Sequence, residues 1–342
     1  MGLSHYDRRL GAMKKCLRFS PSPLTNQRGV ALILVLWIFV FLFVVAFDFA
    51  ASVREEGMAA HRHAEETEGY YLALAGFQQA IYRVLNPKEF GAAQRTDLVD
   101  GDWREQSFKD AYYRVRLLDE GGRININRAN EETLRLVFTN LGIEEPRRTI
   151  LVDSIIDWRD EDNLHRVNGA EDDYYLSLSP PYTAKNGPLD TVEELLWIRG
   201  MTAELFYGLE ENGVRRAAVK NIFTVDNPQD RINLRTATAE VIHALLGISP
   251  DAGRAFVEGR KTLSEKTLGD MLGLLGLSNN DAARRYFVVT VPSVITIEAA
   301  GYQADSAPQR RLRGVIRMLG DRGFEMIRWV DRDTAMSDGT QG

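Results

Sequence analysis

An α+β fold is predicted, with a long N-terminal helix packed on an antiparallel sheet and a large helical insertion between the strands. Three observations predict it. An apolar run beginning near residue 30 passes into an amphipathic stripe. One alternating strand segment lies before Gly121, and three more follow Arg285. The stretch between them is helical in pattern and repeats itself.

The chain has 342 residues, enough for one large domain or two ordinary ones. Its formal charge of -6 is spread unevenly. Residues 1–29 carry Arg8, Arg9, Lys14, Lys15, Arg18 and Arg28 against Asp7, a net of +5; subtracting this from -6 leaves -11 for the remainder. A basic head, an apolar run and an acidic body form the charge pattern of a chain inserted with its N-terminus in the cytosol. The single cysteine, Cys16, sits in the basic head. The body therefore has neither a disulfide nor a thiolate metal site, and packing or an oxygen-ligated cation must hold it.

The first helix starts in the apolar run. Val30 to Ala51 holds one charged residue, Asp48. These 22 residues span about 33 Å as a helix, against a bilayer core of about 30 Å. A cleaved secretory signal has a shorter apolar region and ends in an A-x-A-like site, which is missing here. Beyond the run, Tyr70, Leu74, Phe77, Ile81 and Leu85 recur at spacings of four, three, four and four, the stripe of an amphipathic helix. The polar segment VREEGMAAHRHAEETEG between them contains no proline, and Asn86-Pro87 ends the pattern. One helix from about Val30 to Leu85 would be roughly 84 Å long, with Gly57, Gly69 and Gly76 weakening its continuity.

A basic leader ending in Arg28-Gly29, set against an apolar helix that continues into a soluble body, resembles type IV prepilins and the pseudopilins of type II secretion. The resemblance implies cleavage by a prepilin peptidase after Gly29 and methylation of the new N-terminus at Val30. That pattern also has a glutamate as the fifth residue after the cut, where this chain has Leu34. A carboxylate in lipid needs a partner, such as the N-terminal amine of a neighbouring subunit, and a chain with Leu34 cannot supply that carboxylate. The departure is similar to one branch, the general secretion pathway protein K family of minor pseudopilins, whose members resemble a cap on the filament.

The strands come next. AYYRVRLLDE (Ala111 to Glu120) alternates and is closed by Gly121-Gly122, after a mixed loop over 88–109. YFVVTVPSVITIEAAGY (Tyr286 to Tyr302), RRLRGVIRML (Arg310 to Leu319) and FEMIRWVD (Phe324 to Asp331) read as the other three strands, with a hairpin signal at Gly320-Asp321-Arg322-Gly323. One strand before and three after make a pilin-like head packed on the Tyr70 stripe.

Between Ile124 and Asn280, RININRANEETLRLVFTNLGIEEPRRTILVDSIIDWRDED and RINLRTATAEVIHALLGISPDAGRAFVEGRK share one scheme: R-I-N, a polar cap, a helix, Leu-Gly-Ile and a second helix. The R-I-N openings read as turns that present an Asn or Thr cap. TVEELLWIRGMTAELFYGLE is a looser half-copy. This scheme resembles helix-hairpin-helix DNA-binding modules, so a membrane-anchored DNA receptor is the competing reading. The hairpins here, Gly142-Ile143-Glu144 and Gly247-Ile248-Ser249, lack the second glycine that offers amides to phosphate. A body at -11 also lacks the attraction that drives DNA binding. The protein K family is expected to carry the same two-unit insertion, so the resemblance covers nearly the whole chain.

DWRDEDNLHRVNGAEDDYY places seven carboxylates, Asp157, Asp160, Glu161, Asp162, Glu171, Asp172 and Asp173, within seventeen residues, with Arg159 and Arg166 as the counter-charges. A solvated charge run is the plain reading. Trp158, Tyr174 and Tyr175 argue instead for a loop anchored on a core, with Gly169 turning sharply between the acidic clusters. Gathered carboxylates repel unless protonated or bridged, and an oxygen-only set favours Ca²⁺ over Mg²⁺. The spacing is not that of an EF-hand. Asp160, Asp162, Glu171 and Asp172 are the expected ligands of a structural Ca²⁺, with Asp157 and Asn168 in reserve. The D-W-x-D-x-D and G-A-E-D-x-x-Y pieces are also similar to the protein K pattern at this place.

No G-x-S-x-G, H-E-x-x-H, phosphate loop or Cys-His pair is present, so the chain is not expected to be an enzyme. His61 and His63 lie two apart on a helix and do not face each other, and His243 lies near apolar positions. The expected organisation is a leader (1–29), a transmembrane helix (30–51), a helix extension and first strand (52–123), the helical insertion (124–280), C-terminal strands (281–331) and a polar tail (332–342). The resemblance implies a single-pass inner-membrane protein with its body in the periplasm, capping a pseudopilus. Its implied partners are other minor pseudopilins, the prepilin peptidase, the inner-membrane secretion platform and secreted cargo, with no nucleic acid.

Overall fold

The computed structural model describes residues 27–92, 95–108, 111–208, 210–211, 214–215, 217–263, 267–278, 280–303, 310–320 and 323–331. Residues 1–26 of the expected leader, Asp321 and Arg322 of the hairpin signal and the tail 332–342 lie outside the described residues. Two compact units divide the chain, Met1–His63 and Ala64–Gly342.

Helix α1 (Gln27–Leu85) is continuous through Gly57, Gly69 and Gly76. In the first unit it exposes the large apolar side chains from Val30 to Phe49, and its most apolar window has a mean hydropathy of 3.3. Such a face does not persist in water. It is long and apolar enough to serve as a single membrane anchor.

In the second unit, strands β1 (Arg104–Phe108) and β2 (Ala111–Asp119) precede a long excursion. Strands β3 (Ile124–Asn125), β4 (Glu210–Glu211), β5 (Val214–Arg215), β6 (Phe223–Thr224), β7 (Ile232–Asn233) and β8 (Phe287–Val288) are two-residue pieces within it. Its helices are α2 (Glu131–Asn140), α3 (Arg147–Arg159), α4 (Asp172–Tyr175), α5 (Ala203–Tyr207), α6 (Val219–Ile222), α7 (Ala239–Leu246), α8 (Pro250–Gly259), α9 (Leu268–Leu274) and α10 (Asp281–Tyr286). The chain then returns as β9 (Val294–Gln303), β10 (Arg310–Met318) and β11 (Phe324–Val330).

The main sheet has five antiparallel strands in the order β1-β2-β9-β10-β11, one more than the sequence suggested. The extra strand, β1, is an exposed edge whose residues REQSF carry no apolar alternation, so the period-2 signal was missing. The apolar run from Tyr286 to Tyr302 is not one strand. Its start, β8, pairs in parallel with β7 in the insertion, and Pro292 separates it from β9.

The sheet packs on α1 through Ala73, Phe77, Ala80 and Val84, all fully buried. Tyr70, Leu74 and Leu85 of the expected stripe flank this line and are only partly buried. The centre of contact is rotated toward the alanines because small side chains let the sheet approach. A Cβ on Gly301 of β9 would stand 2.1 Å from the carbonyl oxygen of Gly69, and one on Gly76 would stand 2.5 Å from the Tyr113 ring. Two of the three glycines that weakened the helical pattern, Gly69 and Gly76, thus lie where helix and sheet approach closely, while Gly57 has open space around it.

The two R-I-N segments open equivalent units. β3 pairs in parallel with β6, and β7 with β8. Ile126 N–H then donates to Thr224 O and Leu234 N–H to Val288 O, both at 2.9 Å. Asn130 caps α2 and Thr238 caps α7, each accepting from the amide three residues on, as expected. Gly142 and Gly247 turn the two hairpins at φ of 76° and 65°, in the left-handed region. Arg159 donates to Ile126 O and Ala129 O; Arg260 donates to Leu234 O at 3.0 Å and Ala237 O at 2.6 Å. These carbonyls occupy matching places in the two openings. Both units hang from the end of β2, where Asp119 accepts from Asn233 and Thr236, and Glu120 accepts from Thr224 and Thr296.

Candidate metal centre

The acidic loop leaves α3 and returns at α4. Trp158 and Tyr175 are buried and meet edge-to-face with centroids 5.2 Å apart, while Tyr182 stacks on Tyr175 at 5.2 Å. This aromatic floor fixes both ends of the loop. Arg199 completes it, lying 4.7 Å over the Tyr174 ring and donating to Gly169 O at 2.9 Å. Nothing in the spacing of Arg199 pointed to this role, since it lies beyond the loop in the half-copy segment.

Asp160, at the C-terminal end of α3, and Glu171, just before α4, come together with Asp162. Each offers an oxygen within 4.8 Å of the others, and the three form a cluster that can hold a metal ion. Glu171 is 1 % exposed, and both its oxygens lack hydrogen-bond partners. Asp160 Oδ1 and Asp157 Oδ1 are likewise buried without partners. Burial, followed by the charges of Asp157, Asp160, Asp172 and Asp162, pushes the Glu171 carboxyl up to about 7. Asp157 rises to about 6, mainly through burial, although the amides of Arg166 and Ala170 oppose the rise. Burial and the neighbouring Asp162 raise Asp160 as well.

The expected counter-charges turn away. Arg159 is committed to the carbonyls of the repeat opening, and Arg166 to Asp153 at 3.2 Å and to Glu131. Of the four expected ligands, three converge. Asp172 Oδ1 accepts from the Ala184 amide at 2.8 Å, and Asp172 lies outside the three-residue cluster. Asn168 points its amide toward Asp153, 3.5 Å away. Asp157 sits beside the cluster, with Oδ2 accepting from the Arg166 amide at 3.0 Å. Gly169 closes the expected turn, its N–H donating to Arg166 O at 3.0 Å, and it also leaves room for Asp157, since a Cβ there would collide with Asp157 Oδ2. Asp162 is exposed and its Oδ1 accepts from the Leu164 amide at 2.8 Å, but the buried, unpartnered oxygens of Glu171 and Asp160 Oδ1 beside it make a fitting donor set for a hard cation.

The remaining site residues sit elsewhere. Gly29 and Val30 lie in the first turn of α1, and Leu34 is exposed on the same helix. His165 Nδ1 is 3.0 Å from Arg166 O and His243 Nδ1 is 2.6 Å from Ile248 O. At the first hairpin, Glu145 Oε2 accepts from the Thr149 amide at 3.1 Å. A carboxylate thus takes one of the amides near the start of α3 that an anion would seek.

Two family models, both described as type II secretion system protein K, match residues 115–211 and 232–290. The second coincides closely with the unit running from β7 to β8. Type II secretion system protein K of Klebsiella pneumoniae is 28% identical over 205 residues, covering 54% of this chain and 61% of the relative. The corresponding protein of Pseudomonas aeruginosa is 27% identical over 257 residues, covering 69% and 73%. The alignment thus spans about three-fifths of the Klebsiella relative's length. In fold, the chain matches the crystal structure of the GspK-GspI-GspJ complex from the type 2 secretion system of enterotoxigenic Escherichia coli. The TM-score is 0.55 at 17% identity, covering 75% of this chain and 97% of that one.

Proposed function

Because this chain belongs to the type II secretion system protein K family, a structural and not a catalytic family, we propose that it caps the tip of a type II secretion pseudopilus. The observation that carries this reading is the insertion between β2 and β9, which widens the pilin-like head at one end of the sheet. A head of that breadth does not fit within a narrow filament, so further subunits add only beneath it. The exposed apolar stretch of α1 then lies in the inner membrane beside the helices of companion minor pseudopilins. The counterparts in the E. coli complex are GspI and GspJ. The body faces the periplasm and the short N-terminal segment the cytosol, in keeping with the basic head and acidic body.

In this reading prepilin peptidase cuts between Gly29 and Val30 and the new N-terminus is methylated. Leu34 removes the carboxylate that would pair with a subunit above, which suits a chain with nothing above it. The secretion platform and the exported cargo are its remaining partners.

The cation at Asp160, Asp162 and Glu171 is Ca²⁺ in this reading, and its charge would neutralise carboxylates that otherwise repel. Asp157 and Asp172 add negative potential from beside the cluster. Arg199 and the aromatic floor hold the loop ends so that its carboxylates remain gathered. Ca²⁺ should raise the Tm of the protein, and Asp160→Ala combined with Glu171→Ala should abolish the rise. A melt indifferent to both Ca²⁺ and EDTA rejects the cation.

The tip assignment is tested by co-expressing the full chain with its companion minor pseudopilins and purifying from detergent. A stable complex is expected, with a mature N-terminus at methylated Val30 by mass spectrometry. A chain that purifies alone, or that retains Met1, overturns the assignment.

A further inference from the structure

The two arginine contacts mark one matching point in each repeat, although the helices leading to it differ in length. Arg159 and Arg260 grip matching carbonyl pairs, Ile126 and Ala129 in one repeat, Leu234 and Ala237 in the other. Counted from these arginines, Asp160 takes the place of Lys261 and Asp157 that of Glu258, with Asp160 extended and Lys261 in a 3-10 turn. The first repeat has two acids at these places, and they need an external positive charge. The second keeps one acid and replaces the other with a cation of its own.

That cation is engaged. Lys261 Nζ is 3.1 Å from Glu258 Oε1 and 3.4 Å from Asp102 Oδ2. Asp102 lies in the segment that enters β1, so the contact joins the second repeat to the head. Arg235, in the opening of the same repeat, stands 3.5 Å from Asp97 in the same segment. Asp97, Asp102, Arg235 and Lys261, with Val99 and Met271, line one cleft of about 240 Å³ between the segment 97–102 and the second repeat.

We propose that Lys261 is a built-in substitute for the metal ion, latching the second repeat to the head whether or not a cation is present, while the first repeat is the half that responds to it. The contrast rests on the cation reading of Asp160, Asp162 and Glu171; the latch itself does not. Loss of Ca²⁺ then loosens the outer loop between α3 and α4 and leaves the attachment to the head intact. Only one half of the insertion senses the ion.

The test is hydrogen exchange on the full chain in detergent, read in peptides spanning 97–104, 254–263 and 157–172. In the unaltered chain, Ca²⁺ should slow exchange in 157–172 and leave the other two unchanged. Lys261→Glu should speed exchange in 97–104 roughly three- to five-fold, the scale of an exposed ion pair. Adding Asp102→Lys to Lys261→Glu should restore it, and Lys261→Met, which removes charge without repulsion, should fall between. If Lys261→Glu leaves 97–104 unmoved, or the charge swap fails to restore it, the latch is overturned. If Ca²⁺ protects 97–104 as strongly as 157–172, the division between repeats is overturned. Ca²⁺ without effect on 157–172 defeats the cation reading and leaves the latch to be judged on the charge swap.

Discussion

The first repeat, from β3 to β6, spans about a hundred residues, and the second, from β7 to β8, about sixty. Their openings, caps, hairpin glycines and arginine contacts correspond, so those features belong to the scaffold. The extra length lies in the loop and turns after α3, where the first repeat gathers carboxylates over an aromatic floor. What the repeats share makes the fold, and what only one has makes the site.

The largest expected effect tests the shared part. Arg260→Ala strands two carbonyls that a nearly buried guanidinium now satisfies, and should cost about 3 kcal/mol by urea denaturation. Arg159→Ala should destabilise in the same direction by a smaller amount, because its guanidinium is less buried. Near-neutral effects at both sites would break the correspondence. Gly169→Ala should cost about 2 kcal/mol, since the new Cβ collides with Asp157, and should remove the Ca²⁺ response. The same change at Gly259, which has only ordinary contacts around it, should be far milder.

Glu171→Gln sharpens the contrast through its sign. With EDTA present, removing a buried unpaired charge should raise the Tm, whereas with Ca²⁺ the variant should melt below the unaltered protein. The smallest effect is the pH dependence. Asp157 and Glu171 have folded pKa values of about 6 and about 7, above the ordinary carboxylate values of about 4. Across that window the folded state binds more protons than the unfolded one, so stability without a cation should fall as pH rises from about 4 to about 7. Calorimetry in EDTA at pH 5 and pH 8 should show the lower Tm at pH 8, and Ca²⁺ should narrow the gap. A Tm that rises with pH would contradict the carboxylate repulsion.

Much of the head was legible because β2, β9, β10 and β11 carry apolar residues that α1 must cover. β1 was not, since an exposed edge needs no apolar face. The break at Pro292 was visible in principle but was outweighed by the apolar run around it. Three of the four expected cation ligands converged because α3 and α4 lie close in sequence and their aromatic residues anchor both. Arg199, the destination of Arg159 and the reason for Gly169 depend on approaches between distant segments, which no local pattern encodes.

The placement of the insertion also dictates how the protein must fold. Arg116 of β2 reaches its buried partner Glu298 of β9 across 182 residues of chain. During synthesis the N-terminal helix and β2 emerge first, with the centre of the sheet unpaired. Pairing so remote in sequence is slow unless the intervening chain has already become compact. Early compaction of the insertion, whose helical hairpins close locally, is expected to bring β2 and β9 together and so speed closure of the sheet. A head assembled in that order leaves the edge of β2 unpaired until β9 arrives, which is the stage at which aggregation competes with folding.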